Sequence, residues 1–142
     1  MIKKTLVVLF VCAIAVFVTS CGAKPNYDDV RAAIDKEVAT IGTFASGVDA
    51  ATDAASLATA INGFVDTYKG DVDAFKAVLA KHTEASGKDV PPELQDAFKK
   101  LTDANAASGA ALNKVVASQF ASDPAVVDAL SKVQALQASL AQ

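Results

Sequence analysis

Few side chains in this chain are of the types that perform chemistry. It has one histidine, His82, two cysteines, Cys12 and Cys21, and no tryptophan. A histidine acts in catalysis as a base beside a nucleophile, or binds a metal together with other ligands, and the sequence around His82 offers neither arrangement. His82 follows an apolar stripe near the end of a predicted helix. We therefore predict a packed or helix-capping histidine, with a ligand or general base as the alternative.

The sequence contains few residues that could bind a metal or a cofactor. A di-iron bundle uses glutamates and Glu-x-x-His pairs on facing helices, but Leu79 stands three residues before His82. The segment that starts at Asp103 begins like a calcium loop. However, Ser108 replaces the glycine needed at its sixth position and Lys114 the glutamate needed at its twelfth. We expect no metal, no cofactor and no enzymatic activity.

The amino terminus has the three parts of a secretory signal peptide. Lys3 and Lys4 precede an unbroken apolar run, residues 6–18, and small residues follow. This run of 13 residues is shorter than the roughly 20 that cross a bilayer core of about 30 Å. Cleavage is therefore expected, and an uncleaved anchor is the alternative.

The cysteine that ends this segment has a more specific meaning. Val18, Thr19 and Ser20 stand directly before Cys21, and together the four residues resemble the lipobox of bacterial lipoproteins. The resemblance implies that the signal peptidase recognises Val18, Thr19 and Ser20 and cleaves after Ser20. It also implies a diacylglyceryl group on Cys21 and, in many bacteria, a further acyl chain such as palmitate on the new amino terminus. Two or three acyl chains anchor a protein stably, because each buried methylene adds about 0.8 kcal/mol. A buried free thiol is the alternative, but residues 22–25 offer no apolar surroundings.

This resemblance divides the chain into three parts and suggests where it resides. Residues 1–20 would be the signal peptide, residues 21–25 the lipidated amino terminus and short tether, and residues 26–142 a helical bundle domain. The tether spans at most about 17 Å, so the domain would stay close to its membrane. Gly22 follows the cysteine, and the sorting rule of enteric bacteria then favours the outer membrane of the cell envelope. Loss of Cys12 leaves Cys21 without a disulfide partner.

The charge balance limits the partners of the mature chain. The whole chain has a net charge of −3, and loss of Lys3 and Lys4 leaves 11 basic residues against 16 acidic ones. Nucleic-acid binding is not expected, because it rests on lysines and arginines that neutralise phosphates. Only Lys24 lies beside the predicted anchor, so the lipid must supply the membrane attachment.

Helix signals predict an all-α domain of four helices joined by short turns, an antiparallel up-and-down bundle whose last helix is short. Asn26 is the predicted cap of the first helix, and Thr52 or Asp53 that of the second, which we expect to stop at Gly87. The third would begin at the pair of prolines 91 and 92, and the fourth at Asp123 and Pro124. Gly63 and Gly70 are possible kinks in the second helix.

Larger apolar residues recur every three or four positions, which places them on one face of each helix. The predicted inward residues are, helix by helix, Tyr27, Val30, Ile34, Val38, Ile41, Phe44 and Val48; Leu57, Ile61, Phe64, Tyr68, Val72, Phe75, Leu79 and His82; Leu94, Phe98, Leu101, Asn105, Ser108, Leu112, Val115 and Gln119 or Phe120; and Val126, Leu130, Val133, Leu136 and Leu140.

Asn105 and Ser108 interrupt the apolar face of the third helix. One interpretation is a partly exposed or mutually hydrogen-bonded pair that fixes the helix register. The other is a polar spot within a cavity that binds a ligand. A third possibility is that the helix breaks at Ser108 and Gly109.

Two further stretches, TDAASLATAINGFVDTY and DPAVVDAL, resemble the alanine-rich helices of small bacterial lipoproteins with no assigned activity. The resemblance implies a helical mature domain and adds no catalytic residue. We expect a lipid-anchored, non-enzymatic module that acts by contact with an envelope protein or a copy of itself. The alternatives are a carrier that holds a small apolar ligand inside the bundle and, third, a small hydrolytic enzyme.

Overall fold

A computed structural model describes residues 26–86 and 89–141. The described chain folds into four α-helices, α1 (Asp28–Ala50), α2 (Ala54–Leu79), α3 (Pro92–Ala117) and α4 (Pro124–Leu140), and a 3-10 turn, η1 (Thr83–Ser86). No strand occurs in these two ranges. The predicted all-α bundle of four helices with a short last member is confirmed. The predicted signal peptide, its recognition residues 18–20, Cys21 and Gly87 lie outside the described residues.

Two of the predicted helix starts, those of α2 and α4, rest on side-chain caps. Asp53 accepts a hydrogen bond from the backbone N–H of Ser56 at 2.7 Å, and the Ser56 hydroxyl oxygen accepts one from the N–H of Asp53. Asp123 caps α4 by accepting from the N–H of Ala125 at 2.9 Å. Asn26 accepts from the N–H of Asp28 at 2.8 Å, but the N-cap position itself is occupied by Tyr27.

The end of α2 differs from the prediction. The helix stops at Leu79, well before Gly87, and the chain turns into η1. The side chain of Ala85 in this turn is buried, and His82 pairs with Asp29 at the start of α1. These contacts favour the turn over a continued helix, which would project beyond the bundle.

The glycines and polar residues inside the helices do not break them. Helix α3 continues through Ser108 and Gly109, so the interpretation with a break there is wrong. Helix α2 likewise runs without interruption through Gly63 and Gly70.

Helix α1 lies at the centre of the packing, against both α2 and α3, and α2 also packs against α4. Helices α1 and α2 are antiparallel. Helices α1 and α3 are parallel, because Arg31 donates to the carbonyl of Glu93 near the start of both and Lys114 binds Asp49 near their ends. The backbones of α3 and α4 come close at few points, and side chains fill the space between them.

The core has two parts. The proximal cluster, nearest the start of α1, contains Tyr27, Val30, Ile34, Leu79, Ala85, Leu94, Ala97 and Leu101. The distal cluster contains Ile41, Phe44, Val48, Leu57, Ala58, Ile61, Phe64, Tyr68, Val72, Ala111, Leu112, Val115, Val126, Ala129, Val133 and Leu136. All buried residues of α4 belong to the distal cluster, so the proximal half is a three-helix bundle closed by η1.

Most residues of the predicted inward faces are buried. Val38, Phe75, Phe98, Leu130 and Leu140 are half-buried and pack against one of the clusters. Gln119 and Phe120 lie beyond the end of α3 at Ala117, where Gln119 is exposed and Phe120 is half-buried against the distal cluster. Within the described ranges, no helix has the length and apolar character needed to cross a bilayer.

Candidate functional site

Two buried carboxyl groups lie at the junction of the two halves. Glu37 on α1 is 4% exposed and Asp71 on α2 is 2% exposed, and no other acidic residue in the described ranges is buried. Glu37 lies between Ile34 of the proximal cluster and Ile41 of the distal cluster along the inner face of α1. The junction is therefore a polar layer in an otherwise apolar core.

The two carboxyl groups have unequal partners. Asp71 accepts from the hydroxyl of Thr40 at 2.5 Å and pairs with the ammonium group of Lys36 at 3.0 Å. Glu37 accepts from the hydroxyl of Tyr68 at 2.7 Å through Oε1, whereas its Oε2 atom is buried without a hydrogen-bond partner. Asp71 is thus neutralised by a cation, and Glu37 is not.

This difference affects the protonation of the layer. Burial raises the pKa of Glu37, the hydrogen bond from Tyr68 lowers it, and the negative charge of Asp71 raises it, with a net upward shift. Burial and the two nearby carboxylates raise the pKa of Tyr68, so its hydroxyl stays protonated and remains a donor. The layer favours a proton on Glu37.

The predicted polar pair, Asn105 and Ser108, lies on the inner side of α3. Ser108 is buried, while Asn105 is half-buried with its Oδ1 atom enclosed and without a hydrogen-bond partner. The register-fixing interpretation allowed a hydrogen bond between the two side chains. The Asn105 Oδ1 atom makes no such bond to Ser108. Ser108 lines a cleft between α3 and α4 with Phe64, Tyr68, Leu112, Val133, Leu136, Gln137 and Leu140. The cleft volume is about 20 Å³, which is room for roughly one water molecule.

His82 is packed at the proximal end, as its position in the sequence suggested. Its side chain is 16% exposed, its Nε2 atom lies 2.9 Å from Asp29, and its Nδ1 atom lies 3.6 Å from Glu84. The ring centroid lies 5.5 Å from that of Tyr27. The hydrogen bond from His82 lowers the pKa of Asp29. This arrangement fastens the start of α1 to η1.

A larger concavity than the cleft between α3 and α4 is a groove on the outer surface between α1 and α2. It has a volume of about 360 Å³ and is lined by Thr40, Thr43, Phe44, Gly47, Thr59, Ala60, Gly63, Phe64 and Thr67. None of these residues is charged. Thr43 and Thr59 donate to the carbonyls four residues before them, at 3.0 and 2.8 Å, so their hydroxyls are already satisfied. The groove is an uncharged surface of threonine, glycine and alanine residues together with two phenylalanines.

Small residues set the shape of this groove. A methyl group built at Gly47 would lie 2.9 Å from the Cβ atom of Ala60, so α1 and α2 approach closely only because residue 47 is glycine. Gly63 has open space around it, and a side chain there would project into the groove.

The sequence offered little warning of Glu37 and the groove. Val38 was placed on the inner face of α1 because it is apolar, although residues 37 and 38 fit the spacing between Ile34 and Ile41 equally well. The groove is formed by the outer surfaces of two helices. The spacing of inward residues predicts the core and does not predict a surface groove.

Metal ligation has no obvious place in this arrangement. Over residues 26–86 and 89–141, no group of three or more histidine, cysteine or acidic side chains is arranged to hold a metal ion. Comparisons of the chain with protein-family models, with curated proteins and with solved structures found no match.

Proposed function

We propose that this protein is a lipid-anchored module of the bacterial cell envelope that works by binding another envelope protein through the α1–α2 groove. The lipid would be carried by Cys21 after cleavage at the sequence formed by Val18, Thr19 and Ser20. The outer membrane is the favoured location, because Gly22 follows the cysteine. In this proposal the protein acts by contact and has no enzymatic activity.

The observation that carries the proposal is the contrast between the interior and the surface. The interior cleft has about 20 Å³, whereas the surface groove has about 360 Å³. Ligand pockets are typically about 300 to 1,000 Å³. The interior cleft is therefore too small to hold a carried ligand, which supports the surface groove as the binding site in our proposal.

The shape and chemistry of the groove favour a helix of a different protein as its occupant. The groove is concave, and a second copy would present the same concave surface, so two grooves facing each other would leave a void. A ridge of apolar or small side chains on a helix can fill it, because glycine and alanine at the floor allow close backbone approach. The mature chain has an excess of acidic residues, but the groove has no charge that a partner would need to neutralise or desolvate.

The position of the groove suits an anchored protein. Its α1 residues lie in the second half of that helix, and Gly47 is about 30 Å from Asp28 at 1.5 Å per residue. The predicted anchor precedes the start of α1. The groove would therefore lie away from the anchored end, where a neighbouring envelope protein can reach it.

The anchor is tested by mass spectrometry of the native protein and by the Cys21→Ala variant. We expect a mature chain that begins at Cys21 with added acyl mass, and a variant that leaves the membrane fraction. A native amino terminus that is uncut and unmodified would contradict the anchor.

The groove is tested by adding charge to it. Thr43→Lys and Thr59→Lys should each weaken association with the partner at least tenfold, because a lysine would be buried in an apolar contact. Thr102→Lys is the matched control, since Thr102 is also exposed and donates to the carbonyl four residues before it at 2.9 Å. The partner is first isolated by cross-linking from native membranes and then titrated in purified form. Equal weakening by all three variants, or by none, would contradict a docking role for the groove.

A further inference from the structure

The polar layer contains a titratable group that the proposed contact does not use. Glu37 is buried between the two clusters, with one oxygen bound to Tyr68 and the other without a partner. A buried carboxylate without a cation strongly destabilises the fold, whereas a neutral carboxyl group destabilises it much less. The buried position therefore favours the protonated form of Glu37 over the ionised form.

The charged groups around Glu37 do not relieve this cost. Asp71 faces it from α2 with a charge of the same sign, and Lys36, the neighbour of Glu37 on α1, is engaged with Asp71. The residues that α3 buries are all uncharged, as are those of α4. No packed element in the described ranges brings Glu37 a buried cation.

Tyr68 links Glu37 to the cleft between α3 and α4. Its hydroxyl binds Glu37, its ring stacks on Phe64 with centroids 4.7 Å apart, and it borders the cleft beside Ser108 and Gln137. That cleft lies where the backbones of α3 and α4 come close at few points. If water is to reach Glu37 past Tyr68, the Tyr68 ring must move, and this movement disturbs the packing between α3 and α4.

We propose that Glu37 is a proton switch within the fold. When Glu37 is protonated, the two halves of the bundle pack continuously through the layer. When it ionises, the packing around Tyr68 loosens and the bundle opens more often between α3 and α4. The switch stands on the geometry of the layer and is independent of the partner proposed for the groove.

The direction of the pH effect follows from the upward shift in the pKa of Glu37. A carboxyl group with a higher pKa in the folded state stabilises the fold fully below its unfolded pKa, about 4.3 for glutamate. This stability is lost as the pH rises through the folded pKa. In that window the unfolding equilibrium constant rises by up to tenfold per pH unit for one proton.

The test compares the mature protein with its Glu37→Gln variant, which keeps the shape of the side chain but cannot ionise. We expect the extra pH slope of unfolding to vanish in this variant and to persist in Asp66→Asn, which changes an exposed carboxyl group on α2. The other titratable groups are the same in wild type and Glu37→Gln, so the difference between these two proteins isolates Glu37. Equal slopes in wild type and Glu37→Gln would overturn the proposal.

Two further readouts place the effect at this site. In carbon NMR, the carboxyl group of Glu37 should titrate above the ordinary glutamate pKa of about 4.3. Tyr68→Phe should raise the pKa of Glu37 further, because it removes a hydrogen bond that lowers this pKa. Amide exchange, corrected for its intrinsic pH dependence, should become faster as the pH rises. The increase should begin at lower pH in residues 108–112 and 136–140 than in residues 30–34. It should be absent in Glu37→Gln. An ordinary titration of Glu37, or a uniform change in exchange, would contradict the switch.

Discussion

The two halves of the bundle are held together by different interactions. The distal half has four helices and an aromatic stack, in which the Phe44 and Phe64 rings lie 4.6 Å apart and the Phe64 and Tyr68 rings 4.7 Å apart. The proximal half has three helices, and its open end is closed by η1 and by polar contacts such as that between His82 and Asp29. The comparison shows where each half obtains its stability: the distal half from apolar packing, and the proximal half in part from polar contacts at its end.

The surfaces of the two halves also differ. Residues 38–51 of the chain contain a single charged residue, Asp49, and with the facing part of α2 they form the uncharged groove. The proximal end carries Asp28, Asp29, Arg31, Glu84 and Glu93. In our account the proximal half secures the fold beside the anchor, and the distal half offers the contact surface.

The largest expected effect comes from the distal aromatic stack. Phe64→Ala should lower the free energy of unfolding by about 3 to 5 kcal/mol, because it removes a buried ring that lies between two others. Phe98→Ala is the proximal counterpart, and its half-buried ring, 6.2 Å from that of Phe75, should cost clearly less. Denaturant unfolding of both variants measures the difference, and equal losses would contradict the unequal roles of the two halves.

The next effect concerns the crossing of α1 and α2. Gly47→Ala should destabilise the protein by about 1 to 3 kcal/mol, because its methyl group would overlap with Ala60. The double variant with Ala60→Gly should recover most of this loss, and thermal unfolding of the three proteins provides the measurement. If the single variant is as stable as the wild type, the close approach is not required.

A change of opposite sign is expected at the edge of the groove. Gly63→Ala and Gly109→Ala have open space and should each stabilise their helix by about 1 kcal/mol. Only Gly63→Ala should also weaken partner binding, because its methyl group enters the groove. Calorimetric unfolding and partner titration separate the two effects, and equal binding by both variants would argue against docking at this site.

The smallest effect is expected at the proximal contact and has a distinct pH dependence. His82 lowers the pKa of Asp29, so the contact stabilises the fold above the ordinary aspartate pKa, and this contribution is lost as the pH falls through the lower folded value. Asp29→Asn should therefore be less stable than wild type at pH 6 and approach it towards pH 3. This slope is opposite to that expected for Glu37. A difference between the two proteins that stays constant over this range would contradict the role of the contact.

The sequence alone predicted the four helices but not the polar layer or the groove. Regular apolar spacing and the caps at Asp53 and Asp123 predicted the elements, because helix formation depends on local residues. The stop of α2 at Leu79 was missed, since it depends on Ala85 and His82 reaching distant parts of the chain. Glu37 was missed because its neighbours Tyr68 and Asp71 lie on another helix, far away in the chain.

The central claim is that the distal groove is the contact surface. A photo-cross-linking amino acid at Thr59 and, as a control, at Thr102 tests it in native membranes. Our account predicts one discrete adduct with another envelope protein from Thr59 and none from Thr102. No adduct from Thr59, the same adduct from both positions, or an adduct with a second copy of this chain would contradict it.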